Sequence, residues 1–173
     1  PGIANLGMNR NFAKVNRVLI CGLGSIGRRH LKIIKENWPY IKISSLRSRQ
    51  ESFYADKPEI NGIEKYFYNS KDAMKWKPDC IFITNPASMH LEKALLFAGN
   101  HINYFIEKPL GTCNENEIQW LKLRDQNKCN KILIGYVFRH DEGIKKLKEE
   151  IGNLGNLIEA DFYCGSWLPD WRS

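Results

Sequence analysis

The chain has 173 residues, 43% of them hydrophobic and 26% charged, enough to bury one sizeable core and part of another. Its net charge of +7 is spread out, with no dense basic run and no RNA-binding motif, which argues against a nucleic-acid partner. No apolar run is long enough to span a bilayer, no signal-peptide h-region opens the chain, and five scattered cysteines without C-x-x-C spacing read as free thiols of a reducing cytoplasm, not as metal ligands or disulfides.

Residues 1–15 are polar and Asn-rich, and a flexible N-terminal segment is expected there. Arg17 to Cys21 is a short apolar strand. A helix should follow from Ser25 to Asn37, with Ile26, Leu31, Ile33 and Ile34 inward and Arg28, Arg29, Lys32 and Lys35 outward. Trp38-Pro39 ends it, and Ile41 to Leu46 forms a second strand. Residues 50–62 are irregular, with Pro58 and Asn61-Gly62 as breakers. Glu64 to Tyr68 reads as a short strand, and Ser70 as the cap of a helix running through Trp76. Asp79 to Thr84 is a continuous apolar run, the kind found in parallel sheets covered on both faces. A helix to about Gly99-Asn100 comes next, then a strand at Ile102 to Ile106 and a helix at Glu115 to Gln126. A strand at Lys131 to Val137 and a helix at Asp141 to Glu150 complete the series. This alternation predicts an α/β fold, a doubly wound parallel sheet with right-handed crossovers. Residues 155–163 then alternate with period two, as the first strand of an incomplete α+β second domain would. The expected domains are 16–138 and 139–173.

The first strand stops on Gly22-Leu23-Gly24-Ser25-Ile26-Gly27 and restarts as a helix. In that context G-x-G-x-x-G is a dinucleotide turn. The first glycine allows the tight turn, the second admits a pyrophosphate to the backbone, and the third lets the helix pack closely. The free N–H groups and positive dipole end of the helix complete the phosphate site. An Asp or Glu about 20 residues on would bind the ribose 2′-hydroxyl of NAD. No acid stands there. The sequence reads Ser44-Ser45-Leu46-Arg47-Ser48-Arg49. Arginines and a hydroxyl suit a 2′-phosphate, so NADP(H) is favoured and NAD(H) remains possible. Arg47, Ser48 and Arg49 are the residues concerned; a basic loop facing water is the alternative.

The chain resembles the Gfo/Idh/MocA oxidoreductases. The resemblance rests on the glycine turn, Thr84-Asn85-Pro86-Ala87-Ser88-Met89-His90, the run from Gly99 to Leu110 containing Glu107-Lys108-Pro109, and Gly135-Tyr136-Val137-Phe138-Arg139. It implies a Rossmann-type domain followed by a sheet domain for substrate binding and homo-oligomer formation. It further implies hydride transfer between a nicotinamide and a hydroxyl or keto carbon of a sugar, nucleotide sugar or polyol. By position it gives Gly22, Gly24, Ser25, Ile26 and Gly27 to the pyrophosphate, and Thr84, Asn85, Pro86 and His90 to the cofactor cleft. Glu107, Lys108 and Pro109 fall beside the nicotinamide ribose. Lys108 is the implied catalytic residue, a buried lysine that orients the substrate hydroxyl and moves its proton. Tyr136 and Arg139 face the substrate. Plainer readings stand beside these: Lys108 as a turn lysine, His90 as a helix residue with satisfied hydrogen bonds, and Arg139 paired with Asp141 or Glu142. His30 reads as a helix-face residue. The family's later histidine has no counterpart here, since the four histidines end at His140. A dinucleotide-binding fragment without catalysis is therefore the alternative function.

Overall fold

A computed structural model describes residues 15–47, 60–98, 102–112, 119, 131–163 and 165. The expectations for residues 1–14, for Ser48 and Arg49, and for most of the helix at 115–126 lie outside the described residues.

The first strand, β1 (Arg17–Cys21), is buried from Val18 onward. Its side chains alternate between two cores. Val18 and Ile20 pack with Leu31, Ile34, Ile41 and Ile43 on one face. Leu19 and Cys21 pack with Ile81, Ile83, Leu91 and Phe97 on the other. A strand walled on both faces has no room for polar alternation, which is why its sequence is a plain apolar run. Helix α1 (Ser25–Asn37) covers the first face with Gly27, Leu31 and Ile34. Ile33, expected inward, is 39% exposed, because it falls outside the stripe set by residues 27, 31 and 34.

Five more strands were expected in the doubly wound sheet, and the first four of them are β2 (Lys42–Leu46), β3 (Lys65–Phe67), β4 (Cys80–Ile83) and β5 (Asn103–Ile106). With β6 (Ile132–Ile134) they form a six-stranded sheet in the order β3-β2-β1-β4-β5-β6. Every pairing is parallel. The order reverses between β1 and β4, where Val18 pairs with Ile43 on one side and with Cys80 on the other. In such sheets ligands bind outside the carboxyl ends of the strands at that reversal.

Helix α2 (Ser70–Lys75) is capped by Asn69, not by Ser70 as the sequence suggested. The Asn69 carboxamide oxygen accepts from the Asp72 N–H at 2.9 Å, and Ser70 is already the first helical residue. After β4 the chain makes a short 3-10 turn at Ala87–Met89 and then α3 (His90–Leu95), shorter than expected.

Contacts divide the chain into two units, Pro1–Gly135 and Tyr136–Ser173. The second holds a 3-10 turn at Val137–His140 and α4 (Glu142–Glu150). Asp141 caps α4 by accepting from the Ile144 N–H at 3.0 Å. Lys145–Glu142 and Lys146–Glu150 are exposed pairs along it, and solvent screening leaves each of them little weight in stability. The strand expected at 155–163 does not form. Its side chains are exposed, Ile158 at 97% and Tyr163 at 98%, and no described segment supplies the N–H and C=O groups a strand must pair with.

Candidate functional site

The three glycines of the turn do three different jobs, and the geometry separates them. Gly22 has φ +94°, and a Cβ there would stand 3.0 Å from the Asn85 nitrogen. Gly27 presses against the turn: a Cβ would collide with the Gly22 carbonyl oxygen and lie 2.9 Å from Thr84 Oγ1. Gly24 is the opposite case. It is exposed, it is the N-cap of α1, and a Cβ on it would meet nothing within 4 Å. The space above Gly24 is therefore open, while the N–H groups of the first α1 turn have no partners inside the helix. An open backbone cradle at the positive end of a thirteen-residue helix fits a pyrophosphate. Ser25 and Ile26 are its first two helical residues.

The loop after β4 buttresses this turn. Thr84 is buried, and its hydroxyl lies 3.0 Å from the Cys21 carbonyl and 2.6 Å from the Gly22 carbonyl. Its hydroxyl is thus spent on holding the glycine turn to β4. His90 is 1% exposed. Its Nδ1 lies 2.7 Å from the Pro109 carbonyl oxygen and its Nε2 2.7 Å from the Asn85 carbonyl oxygen. Only a doubly protonated ring can donate to both carbonyls; a neutral ring satisfies one. His90 was expected to line the cleft, with a helix residue of satisfied hydrogen bonds as the plainer reading. The ring is enclosed and ties the loop after β4 to the loop after β5. Pro86 is exposed beside it, and Asn85 is half-buried.

Glu107 also differs from expectation. Its side chain turns under α1, where Oε1 lies 2.8 Å from His30 Nε2. The His30 ring packs edge-on against Phe105 at 4.9 Å and Phe82 at 5.4 Å. Gly135, past β6, leaves the space for this, since a Cβ there would lie 3.2 Å from Glu107 Oε2. A carboxyl group buried beside aromatic rings needs such a partner. The other oxygen, Oε2, accepts from the Lys108 N–H at 3.2 Å. Lys108 and Pro109 are exposed and joined by a cis peptide bond. Lys108 is thus not the buried lysine that the resemblance implied. His30 was missed as a site residue. The signal was a polar side chain one turn past Gly27, beside the apolar positions Leu31 and Ile34 of the same helix.

At the far side of the turn, Arg47 follows β2, with its guanidinium 6.0 Å from the Tyr66 ring centroid. Burial pushes the Tyr66 hydroxyl's pKa up, and the Arg47 charge partly opposes that. The Arg47 N–H donates to the Phe67 carbonyl at 2.9 Å. Tyr136 and Arg139 lie in the second unit, where the Arg139 N–H donates to the Tyr136 carbonyl at 3.1 Å. No cluster of metal-ligating side chains occurs among the described residues.

A parallel sheet with its order reversing beside a glycine turn, an open second glycine and a free helix start defines a dinucleotide-binding Rossmann domain. Residues 16–136 match the Gfo/Idh/MocA model, an oxidoreductase family with an NAD-binding Rossmann fold, and the chain belongs to that family. It is similar to myo-inositol 2-dehydrogenase from Lactobacillus plantarum, with 26% identity and TM-score 0.68 over 81% of this chain and 42% of that one. Scyllo-inositol dehydrogenase from Lactobacillus casei, solved with NAD(H) and scyllo-inositol, shares 25% identity at TM-score 0.70, over 83% of this chain and 43% of that one. The WlbA dehydrogenase from Bordetella pertussis, solved with NADH and UDP-GlcNAcA, is 18% identical at TM-score 0.68 over 81% of this chain and 42% of that one, a likeness of fold alone. The chain thus spans under half the length of these proteins. A comparison with curated proteins returned no match.

Proposed function

We propose that this domain serves an NADP(H)-preferring oxidoreductase, with NAD(H) as the weaker cofactor. Hydride passes between the nicotinamide and a hydroxyl or keto carbon of a sugar, nucleotide sugar or polyol. One observation carries the cofactor reading: β2 leads into Arg47 with no carboxylate between Ser44 and Arg49, beside an open phosphate cradle at Gly24. Gly22, Gly24, Ser25, Ile26 and Gly27 hold the pyrophosphate, and Arg47, Ser48 and Arg49 the 2′-phosphate. Asn85 and Pro86 wall the cleft, with Thr84 and His90 fixing the loops behind them. Glu107 and Pro109 set the course of the Lys108 turn. Lys108 is assigned as the catalytic residue; its ammonium orients the substrate hydroxyl and moves its proton. The nicotinamide supplies the hydride chemistry when bound. Tyr136 and Arg139 are assigned to the substrate. The similarity to an inositol dehydrogenase solved with scyllo-inositol supports a polyol-like substrate.

A cytoplasmic location suits the free thiols of Cys21 and Cys80. No helix among the described residues is long and apolar enough to cross a membrane. A homo-oligomer is proposed from the exposed apolar side chains of 157–163.

Titration with NADPH and NADH, followed by nicotinamide fluorescence, tests the reading. Failure to bind either at millimolar concentration refutes it. Hydride exchange with inositols or sugars that disappears in Lys108→Ala tests the catalytic assignment. A second reading, binding without turnover, is favoured by the exposure of Lys108 and by the engagement of both His30 and His90 elsewhere. Tight NADPH binding with no exchange toward any sugar or polyol would select it.

A further inference from the structure

A small cavity of about 110 Å³ opens at the carboxyl ends of β1 and β2. Cys21, Leu46, Ser70 and Asn85 form part of its wall, and two cations line it, Arg47 and Lys93. Lys93 belongs to α3, the helix that buries His90, Leu91 and Ala94. Its side chain is only 20% exposed, although lysine is normally left in water. Among the described residues the anion paired with it is Glu92, 3.0 Å away and itself 58% exposed. A pair of adjacent residues at the surface does not account for the placement. The charge is felt inside the wall: burial pushes the Cys21 thiol's pKa up to about 12, and Lys93 pulls it back. Among the described residues that line the cavity there is no carboxylate. Asn85 Oδ1 is buried and has no hydrogen-bond partner among the described residues.

We infer that Lys93 is a second specificity-determining residue, which with Arg47 grips the 2′-phosphate of NADP(H) in this cavity. The inference rests on the NADP(H) reading above and extends it to a helix that the end of β2 does not reveal. Its chemistry is complementary. A phosphate monoester is close to dianionic at neutral pH. Arg47 offers a planar fork and Lys93 a compact point charge, so the two neutralise the group from two directions. A cofactor ending in a free 2′-hydroxyl leaves both cations without that partner.

The test uses the full chain, with NADPH, NADH, 2′-AMP and 5′-AMP as probes. Binding is read by nicotinamide fluorescence and by calorimetry. Lys93→Met, which keeps the stem volume, should weaken NADPH and 2′-AMP about tenfold or more while moving NADH and 5′-AMP less than about twofold. Lys93→Arg should restore part of the loss. Equal weakening of all four probes, or none, overturns the inference. If Arg47→Ala still discriminates against NADPH in that case, the NADP(H) reading survives. If the wild-type chain does not prefer NADPH to NADH, the reading itself fails, and the inference with it. Should Lys93→Met not fold, acetylation of the wild-type chain gives the answer by mass spectrometry. Lys93 should be shielded by 2′-AMP and not by 5′-AMP; labelling unchanged by bound 2′-AMP overturns the assignment.

Discussion

Replacing Gly27 and Gly24 by alanine, one at a time, should separate folding from binding. At Gly27 the added methyl collides with the Gly22 carbonyl oxygen, a backbone atom that cannot swing aside. That carbonyl also accepts from Thr84 Oγ1 at 2.6 Å. Overpacking of this kind costs about 1–3 kcal/mol. Losing the Thr84 hydrogen bonds adds about 1 kcal/mol, while alanine's better helix propensity returns about 1 kcal/mol. The net is a loss of about 2 kcal/mol, or about 4–8 °C in Tm for a domain of this size. At Gly24 φ is −66° and the methyl meets nothing within 4 Å, so stability should change by less than about 0.5 kcal/mol. The same methyl occupies the space a pyrophosphate needs, so NADPH binding should fall about tenfold or more, the worth of a charge-assisted contact. Thermal melts and fluorescence titrations of both variants provide the check. A Gly24→Ala chain that melts as low as Gly27→Ala, or that binds NADPH normally, would refute the assignment of roles within the turn.

Three further outcomes follow from the packing. Ser45 Oγ donates to the Ile20 carbonyl at 3.0 Å, whereas Ser44 Oγ is buried with no partner among the described residues. Urea melts should therefore show Ser45→Ala losing about 1 kcal/mol and Ser44→Ala losing nothing or gaining slightly. Glu107→Ala strands His30 among Phe82 and Phe105, and should cost about 2–4 kcal/mol in denaturant melts, with His30→Ala comparable and the double variant far from additive. Burial pushes the thiols of Cys21 and Cys80 up to about 12, the second with help from Asp79. Between their unfolded value and about 12 the folded chain keeps protons that the unfolded chain releases. Stability should then be full below about pH 8.5 and fall above it, by on the order of 1.4 kcal/mol per pH unit per thiol. Alkaline denaturation of a Cys21→Ala, Cys80→Ala variant should be visibly shallower; an unchanged slope would count against the burial argument.

The sequence by itself determined the elements and their kinds. Val18 to Cys21 had to be a doubly covered strand, and Gly22, Gly24 and Gly27 had to form a turn into a helix, because each depends on neighbours a few residues away. Arg47 was legible for the same reason, at a counted distance from the turn. Tertiary structure alone decided what depends on distant partners. His30 meets Glu107 across 77 residues of chain, which turned an expected cofactor contact into a part-buried hydrogen-bonded pair. His90 reaches the Pro109 carbonyl across 19 residues of chain, so a residue expected in the cleft ties the loop after β4 to the loop after β5. Lys93 lines the same cavity as Arg47 only through the packing of α3, which no local pattern announces. The alternation at 155–163 failed for the complementary reason. Period two makes a segment able to pair, but a strand exists only where another strand offers its N–H and C=O groups, and local pattern carries no information about that partner.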